Sequence, residues 1–311
     1  MSHSGLRGTK SADPSPSGDI VGETHWVVNG EISIYLWEKY QIDPTAKPVV
    51  VLAHGSTTAG RESFDLQVAG KPSYSLMNFL AREGFDVFAP DIRGFGRSTR
   101  PAGHINTQMA CDDLGAAVKY VTDLRGIEKV FLLGWSWGTQ YAGMFIMSRP
   151  DRVARYISYG QMHADSLNIA LRRSRIEIYR NHVYLATPES DWRQRFYSMT
   201  PEAVNDPEVV EAFVRIAAQV ETQTPTGPQL DMVQILPMIH ARLMPVATMI
   251  IHGEYDDVAD PDGLLPFFKQ LPHADKRYVM VPRAGHMMHL QEGHRRFQYE
   301  VSSFLKTDIL L

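Results

Sequence analysis

The segment Gly134-Trp135-Ser136-Trp137-Gly138 constrains this chain more than any other. It follows the apolar run Val130, Phe131, Leu132, Leu133 and precedes a stretch through Ser148 whose composition suits a helix. The order predicted is strand, sharp turn, helix, with a serine at the apex. Such a turn lifts the serine hydroxyl clear of the sheet only where strand and helix backbones nearly touch. That close approach calls for small residues two before and two after the serine. Gly134 and Gly138 occupy those positions. Ser136 is therefore a candidate nucleophile, and the rest of the chain must supply a base, an acid and an anion hole.

The 311 residues are 44% hydrophobic and 21% charged, which fits one large globular domain or a domain with an insertion. The net charge of -4 contains no long run of either sign, so no nucleic-acid or membrane-surface footprint is expected and the partner is a small molecule. Cys111 is the only cysteine. An intrachain disulfide and a thiolate metal cage are thereby excluded, and a reducing, cytoplasmic location is expected. Residues 1–23 read as a disordered tail, because their first nineteen are rich in Ser, Gly and Pro and lack the apolar stretch of a signal peptide. No segment approaches the ~18 apolar residues of a membrane helix.

Beyond the tail, His25 to Val28 and Ile32 to Trp37 flank the turn signal Asn29-Gly30, an antiparallel opening. Continuous apolar runs at Pro48 to Ala53 and Phe85 to Ala89 read as strands buried on both faces, with a helix at Tyr74 to Glu83 between them. Asn106 to Thr122 carries a helical period in Met109, Leu114, Val118 and Val121. Further strands are expected at Val153 to Tyr159, Ala247 to Ile251 and Tyr278 to Val281, and helices at Pro261 to Leu271 and His294 to Leu305. Alternation of this kind predicts an α/β fold, a mostly parallel sheet with helices on both faces. From about Gly160 to Met244 helical signals replace strand signals. Asp206-Pro207, for example, is an N-cap followed by proline at N1, ahead of the apolar face Val210, Phe213, Val214 and Ala217. This stretch reads as a helical lid. The expected division is a core of residues 24–160 and 241–311 around a cap of residues 161–240.

Reactive groups in open α/β sheets gather at the carboxyl ends of strands. His286, in Ala284-Gly285-His286 after the last strand, can take the Ser136 proton and return it to a leaving alkoxide. Asp256, in Gly253-Glu254-Tyr255-Asp256, can orient the imidazole, with Asp257 the neighbouring alternative. Backbone N–H groups of Trp137, at the start of a helix, and Ser56, in the loop opening His54-Gly55, are candidates for the oxyanion hole.

Together these residues resemble the α/β-hydrolase superfamily from about Thr24 to Lys306. The matching motifs are His54-Gly55, Asp91-x-Arg93-Gly94-x-Gly96-x-Ser98, the turn at Ser136, Gly253-x-x-Asp256, and Gly285-His286 with Glu292 beyond. The order Ser, Asp, His is also that family's order. The resemblance implies an eight-stranded sheet with a helical cap inserted after strand six. It leaves the substrate open, because this fold hosts many chemistries. Haloalkane dehalogenases and epoxide hydrolases of the fold carry an aspartate at the position of Ser136. Proline iminopeptidases share the tryptophan after the serine but have Gly-Gly-Ser where this chain has Gly134-Trp135-Ser136.

The reading that follows is a serine hydrolase cleaving a carboxylic ester of a small, largely apolar molecule, aromatic or carboxylate-bearing variants included, without metal or organic cofactor. A lactonase, thioesterase, amidase or carbon-carbon bond hydrolase would use the same triad, and a small-molecule receptor on this scaffold is the non-enzymatic alternative. Trp135, Phe64, Tyr74, Met287, Arg172 and Arg175 are the candidate pocket residues, and Trp137 is a further candidate wall. Arg172, Arg173, Arg175 and Arg180 are expected on one helix, either as a solvated face or with a guanidinium turned into the cleft to pair with a substrate carboxylate. Asp91, Arg93 and His54 read as structural. His286, His289 and His294 match no common metal-ligand spacing.

Overall fold

The computed structural model describes residues 20–163, 169–198, 200–256, 258 and 261–309. Tail residues 1–19 and Asp257 lie outside the described residues. The first eight strands in chain order are β1 (Ile20–Asn29), β2 (Ile32–Gln41), β3 (Val49–Ala53), β4 (Asp86–Pro90), β5 (Val130–Trp135), β6 (Val153–Tyr159), β7 (Tyr184–Ala186) and β8 (Gln223–Pro225). They are followed by β9 (Ala247–Gly253) and β10 (Lys276–Val281). The helices are α1 (Gly60–Phe64), α2 (Leu76–Arg82), α3 (Thr107–Arg125), α4 (Gly138–Ser148), α5 (Ile169–Ser174), α6 (Ile176–Asn181), α7 (Glu189–Tyr197), α8 (Pro207–Val220), α9 (Gly227–Gln234), α10 (Pro261–Gln270) and α11 (His294–Leu305).

The main sheet has eight strands in the order β1-β2-β4-β3-β5-β6-β9-β10. β2 pairs antiparallel with both β1 and β4, while the other neighbouring pairs are parallel. The first strand begins at Ile20, four residues before the expected core boundary at Thr24, because Ile20 to Glu23 extend the antiparallel ladder against Glu38 to Gln41.

Strand β3 shows why the sheet is apolar on both faces. Val50 and Leu52 join one core layer with Leu80 of α2 and Phe297 and Phe304 of α11. Val49, Val51 and Ala53 join the opposite layer with Leu114 and Val118 of α3, Phe145 of α4 and Phe267 of α10. A strand whose side chains alternate between two packed faces has no solvent side, hence its unbroken hydrophobic run. Local signals delimit the helices: the Asn106 side chain caps α3 by accepting from Met109 N, and Gly126 ends it at φ +65°.

The segment between β6 and β9 carries α5 to α9. Asp206 caps α8 by accepting from Glu208 N, and Val210, Phe213, Val214 and Ala217 are buried. Two features depart from the sequence reading. β7 and β8 pair as a short antiparallel ladder, three residues long on each side, too brief to leave a period in the sequence. The arginine-rich stretch is broken in two, with Arg175 between α5 and α6 at φ -102°, so its arginines do not share one helix face. Among the described residues, no helix is long and apolar enough to cross a membrane.

Candidate active site

The turn between β5 and α4 is built by backbone collision. A methyl group on Gly134 would lie 2.6 Å from the Gly138 carbonyl oxygen, and one on Gly138 would lie 2.3 Å from the Ala53 carbonyl oxygen. Side chains are therefore excluded from both positions. Ser136 sits at φ +56°, a left-handed conformation costly for a residue with a Cβ. Its amide is tied to the Tyr159 carbonyl at 2.9 Å, and its carbonyl accepts from Thr139 N, so the neighbouring strand and the first turn of α4 hold the strained residue.

His286 follows β10 and faces Asp256, which follows β9. The imidazole Nδ1 lies 3.0 Å from each Asp256 carboxylate oxygen. Nδ1–H thus donates to the carboxylate, and Nε2 is left with a lone pair to accept a proton. Burial alone would push the Asp256 carboxyl up, yet the charge of His286 and the contacts of His286 and His252 outweigh it and hold the group well below the usual carboxylate range. Asp256 therefore stays ionised. Ser136 and His286 line the same cleft, and among the described residues no hydrogen bond joins them.

Several groups that set this geometry carry no motif in the sequence. Gly160, at φ +57°, packs on the imidazole: a methyl group there would lie 2.9 Å from His286 Cε1 and 3.3 Å from Asp256 Oδ2. His252 is fully buried, with Nδ1 3.5 Å from Asp256 Oδ2, beyond ordinary hydrogen-bond length but close enough to act on the charge. Its Nε2 accepts from Gln161 N. The His286 carbonyl accepts from Trp135 Nε1 at 3.1 Å and from the Tyr159 hydroxyl at 2.8 Å. Gln291 Oε1 accepts from Gly285 N at 2.7 Å. A glycine at the end of β6 was the one available hint; the others depend on which loops meet.

The cleft has a volume of about 340 Å³. Its floor includes Gly55, Ser56, Trp135, Ser136, His286 and Met287, and its roof Arg172, Arg175, Leu185, Asp191 and Arg195 from the lid. Of the expected pocket residues, Trp135, Met287, Arg172 and Arg175 line it. Phe64 and Tyr74 do not. Phe64 is fully buried edge-on against Trp135, and Tyr74 is stacked on His294 with ring centroids 4.1 Å apart, so the core takes both aromatic surfaces. The Trp137 side chain also points away from the cleft, with its indole N–H donating to Thr107 Oγ1. Its backbone amide remains beside Ser136, at the start of α4 where N–H groups lack helical partners. Ser56 lines the cleft, and its hydroxyl accepts from Gln229 Nε2 of the lid. Arg173 is exposed, and Arg180 pairs with Glu177 at 2.6 Å on the surface.

The other polar candidates are bracing groups. His54 Nδ1–H donates to the Gly55 carbonyl while Nε2 accepts from Ile92 N, and burial pushes its pKa down to about 4. Asp91 accepts from Gly60 N and Arg97 N, and Arg93 forms a two-point pair with Asp113. His289 is buried and pushed down to about 3, with Nε2–H donating to the Ser63 carbonyl and Nδ1 2.7 Å from the Tyr159 hydroxyl. His294 contacts the Gln291 carbonyl and Ser73 Oγ. The three histidines thus serve separate partners. Among the described residues, the one cluster of metal-ligand type is Glu23, His25 and Glu38 on β1 and β2, where Arg125 already pairs with Glu38.

Comparison with known proteins adds to this geometry. A stretch of 80 residues is 38% identical to epoxide hydrolase 3 of Siraitia grosvenorii, covering 26% of this chain and 25% of that protein. Epoxide hydrolase B of Mycobacterium tuberculosis is 30% identical over 155 residues, covering 49% of this chain and 40% of the relative. The chain therefore spans only about a quarter to two fifths of the length of these curated relatives. A thermophilic esterase from Thermogutta terrifontis shares the fold at a TM-score of 0.69 and 22% identity, with 91% of this chain and 98% of that one covered. The model of the family described as alpha/beta hydrolase fold matches residues 48–293. With its eight-stranded sheet and this match over most of its length, the chain belongs to the alpha/beta hydrolase fold family.

Proposed function

We propose that the protein is a serine hydrolase that cleaves a carboxylic ester of a small, largely apolar molecule through an acyl-enzyme. Membership of the alpha/beta hydrolase family supports hydrolase activity. The observation that carries the finer reading is the His286–Asp256 pair at 3.0 Å, sharing a cleft with a serine at φ +56°.

The Ser136 hydroxyl attacks the ester carbonyl carbon while its proton passes to His286 Nε2. The imidazolium formed is stabilised by the ionised Asp256. The tetrahedral oxyanion is held by the amides of Ser56 and Trp137, each such donor lowering the barrier by on the order of 3 kcal/mol. Collapse breaks the carbon–oxygen bond, and the leaving alkoxide takes the proton from His286. Water then repeats the sequence on the acyl-enzyme, releasing the acid and restoring Ser136. All four functions, nucleophile, proton carrier, imidazolium stabiliser and oxyanion hole, come from the chain itself, so the reading includes no metal or organic cofactor. Epoxide opening by a covalent route uses a carboxylate nucleophile that leaves an ester to be hydrolysed. Residue 136 is a serine, and this favours acyl transfer over that route.

Steady-state hydrolysis of p-nitrophenyl and aryl esters, wild type against Ser136→Ala, tests the proposal together with labelling by a fluorophosphonate. Turnover and labelling that both vanish in the variant are expected. Activity that survives Ser136→Ala, or a protein that neither turns over esters nor labels, would overturn it.

A further inference from the structure

The lid presents a cation to the cleft that none of the chemistry above uses. Arg195 lies on α7, one turn after Asp191, and lines the same cleft as Ser136 and His286. Its guanidinium carbon sits 4.7 Å from the Trp192 ring centroid, and Trp192 is fully buried. Stacking on an anchored indole holds the planar group in place, so little freedom is lost when it binds a ligand. Among the described residues, Arg195 Nε is buried without a hydrogen-bond partner. A buried guanidinium N–H left unpaired is costly and calls for an acceptor.

The surroundings indicate the charge of that acceptor. Arg175 and Arg195 both line the cleft, whereas Asp191 is the one carboxylate among the described lining residues. No ion pair joins Asp191 to Arg195 among the described residues. The excess is positive, and a single nearby carboxylate moderates it, which suits a singly charged anion better than a doubly charged one. Burial lowers the Arg195 pKa to about 10, still well above neutrality. Leu171, Leu185, Val258 and Met287 add an apolar strip that matches a hydrocarbon spacer, among polar lining residues such as Thr57, Gln194 and Ser198.

We propose that Arg195 is a specificity-determining residue that binds a free carboxylate on the substrate, so that the preferred substrates are monoesters of small dicarboxylic acids or esters carrying an equivalent acid group. The guanidinium fork meets a carboxylate through two parallel hydrogen bonds. For its reaction this inference rests on the serine-hydrolase reading; for its binding step it does not.

Two measurements on the full chain test it. The first compares kcat/KM for mono-p-nitrophenyl glutarate and p-nitrophenyl pentanoate, which differ in a carboxylate against a methyl group, in wild type, Arg195→Gln and Arg195→Lys. Wild type is expected to favour the glutarate ester, Arg195→Gln to reduce that ratio by about tenfold or more, chiefly through KM, and Arg195→Lys to retain part of it. The second measures binding of monomethyl glutarate to Ser136→Ala and to Ser136→Ala/Arg195→Gln by calorimetry, with circular dichroism to verify folding. Binding that Arg195→Gln abolishes supports the inference even if no ester is hydrolysed, in which case the esterase reading alone falls. Equal turnover of both esters by wild type, a ratio untouched by Arg195→Gln, or no binding of monomethyl glutarate by Ser136→Ala would each overturn it, leaving the esterase reading in place wherever the neutral ester is turned over.

Discussion

The floor and the roof of the cleft are held by different forces. On the floor, bare glycine backbone leaves no room for a side chain: Gly134 lies against Gly138, Gly138 against Ala53, Gly160 against the His286 ring. On the roof, side chains rest on side chains, as Arg195 does on Trp192. The lid reaches the core through buried apolar side chains such as Phe196 and Phe213 and through polar anchors, among them Glu221, whose Oε1 accepts from Ala59 N and Gly96 N and whose Oε2 pairs with Arg100 at 2.8 Å. A floor defined by collisions tolerates few substitutions and can hold reacting groups to a fraction of an ångström. A roof defined by packing can exchange residues and so adjust which molecule is admitted.

The contrast breaks if floor substitutions prove mild. The largest effect is expected at Ser136→Ala, which removes the proposed nucleophile and should lower kcat by about 10⁴-fold or more with little change in folding. Asp256→Asn should follow, at roughly 10⁴-fold, because an amide favours the wrong imidazole tautomer. A pH–rate profile of that variant, measured with the same ester, would show whether the acid acts through His286.

Gly160→Ala sharpens the comparison, since it touches neither nucleophile nor substrate. The added methyl would sit 2.9 Å from His286 Cε1 on a residue at φ +57°, so the ring must move. A displacement of this kind costs on the order of 10²-fold in kcat. Steady-state kinetics with KM nearly constant is the expected result, and an unchanged kcat would show that the floor is softer than its contacts imply.

Tyr159→Phe removes the hydroxyl that joins the His286 carbonyl to His289 Nδ1 while keeping the ring stacked on Trp135. Losing the bond to that carbonyl, of about 1 kcal/mol, should reduce kcat roughly fivefold. If instead the variant loses as much as Asp256→Asn, the floor depends on hydrogen bonds more than on backbone contact.

The smallest effect belongs to the roof anchor. Burial, outweighing Arg100 and the Gly96 amide, pushes the Glu221 carboxyl up from its ordinary 4.5 to about 7, with Glu62 adding repulsion and Asp91, Arg97 and Arg100 close by. A carboxyl raised in the folded state contributes stability that is full below pH 4.5 and lost as pH rises through 7. Thermal melts at pH 5 and pH 8 should therefore show wild type losing Tm relative to Glu221→Gln as pH rises, by an amount on the order of 2–4 °C. A constant difference across that range would mean that Glu221 is ionised throughout.

Much of the floor was legible in the chain. Gly134, Ser136 and Gly138 announce themselves because a local backbone requirement demands glycine at fixed offsets. Asp256 and His286 follow apolar runs, and strand ends are where this class of sheet presents its reactive groups. Phe64 and Tyr74 misled because an aromatic residue near a cleft and one in a core carry the same sequence signal, and only packing separates them. Gly160, His252, Tyr159 and Arg195 left almost no trace, for each owes its position to a loop or helix distant in sequence.

The sequence by itself determined the strand–turn–helix at Ser136, the alternation that builds a parallel sheet, and the order of the proposed nucleophile, acid and base along the chain. These are consequences of φ/ψ limits and hydrophobic period, both local properties. Only the tertiary structure decided that Asp256 meets His286 at 3.0 Å, that Trp137 turns inward while Trp135 lines the cleft, and that Arg195 is the lid guanidinium stacked on a buried indole. The physical reason is that side-chain direction and burial are set by contacts between residues far apart in the chain, which no local pattern records.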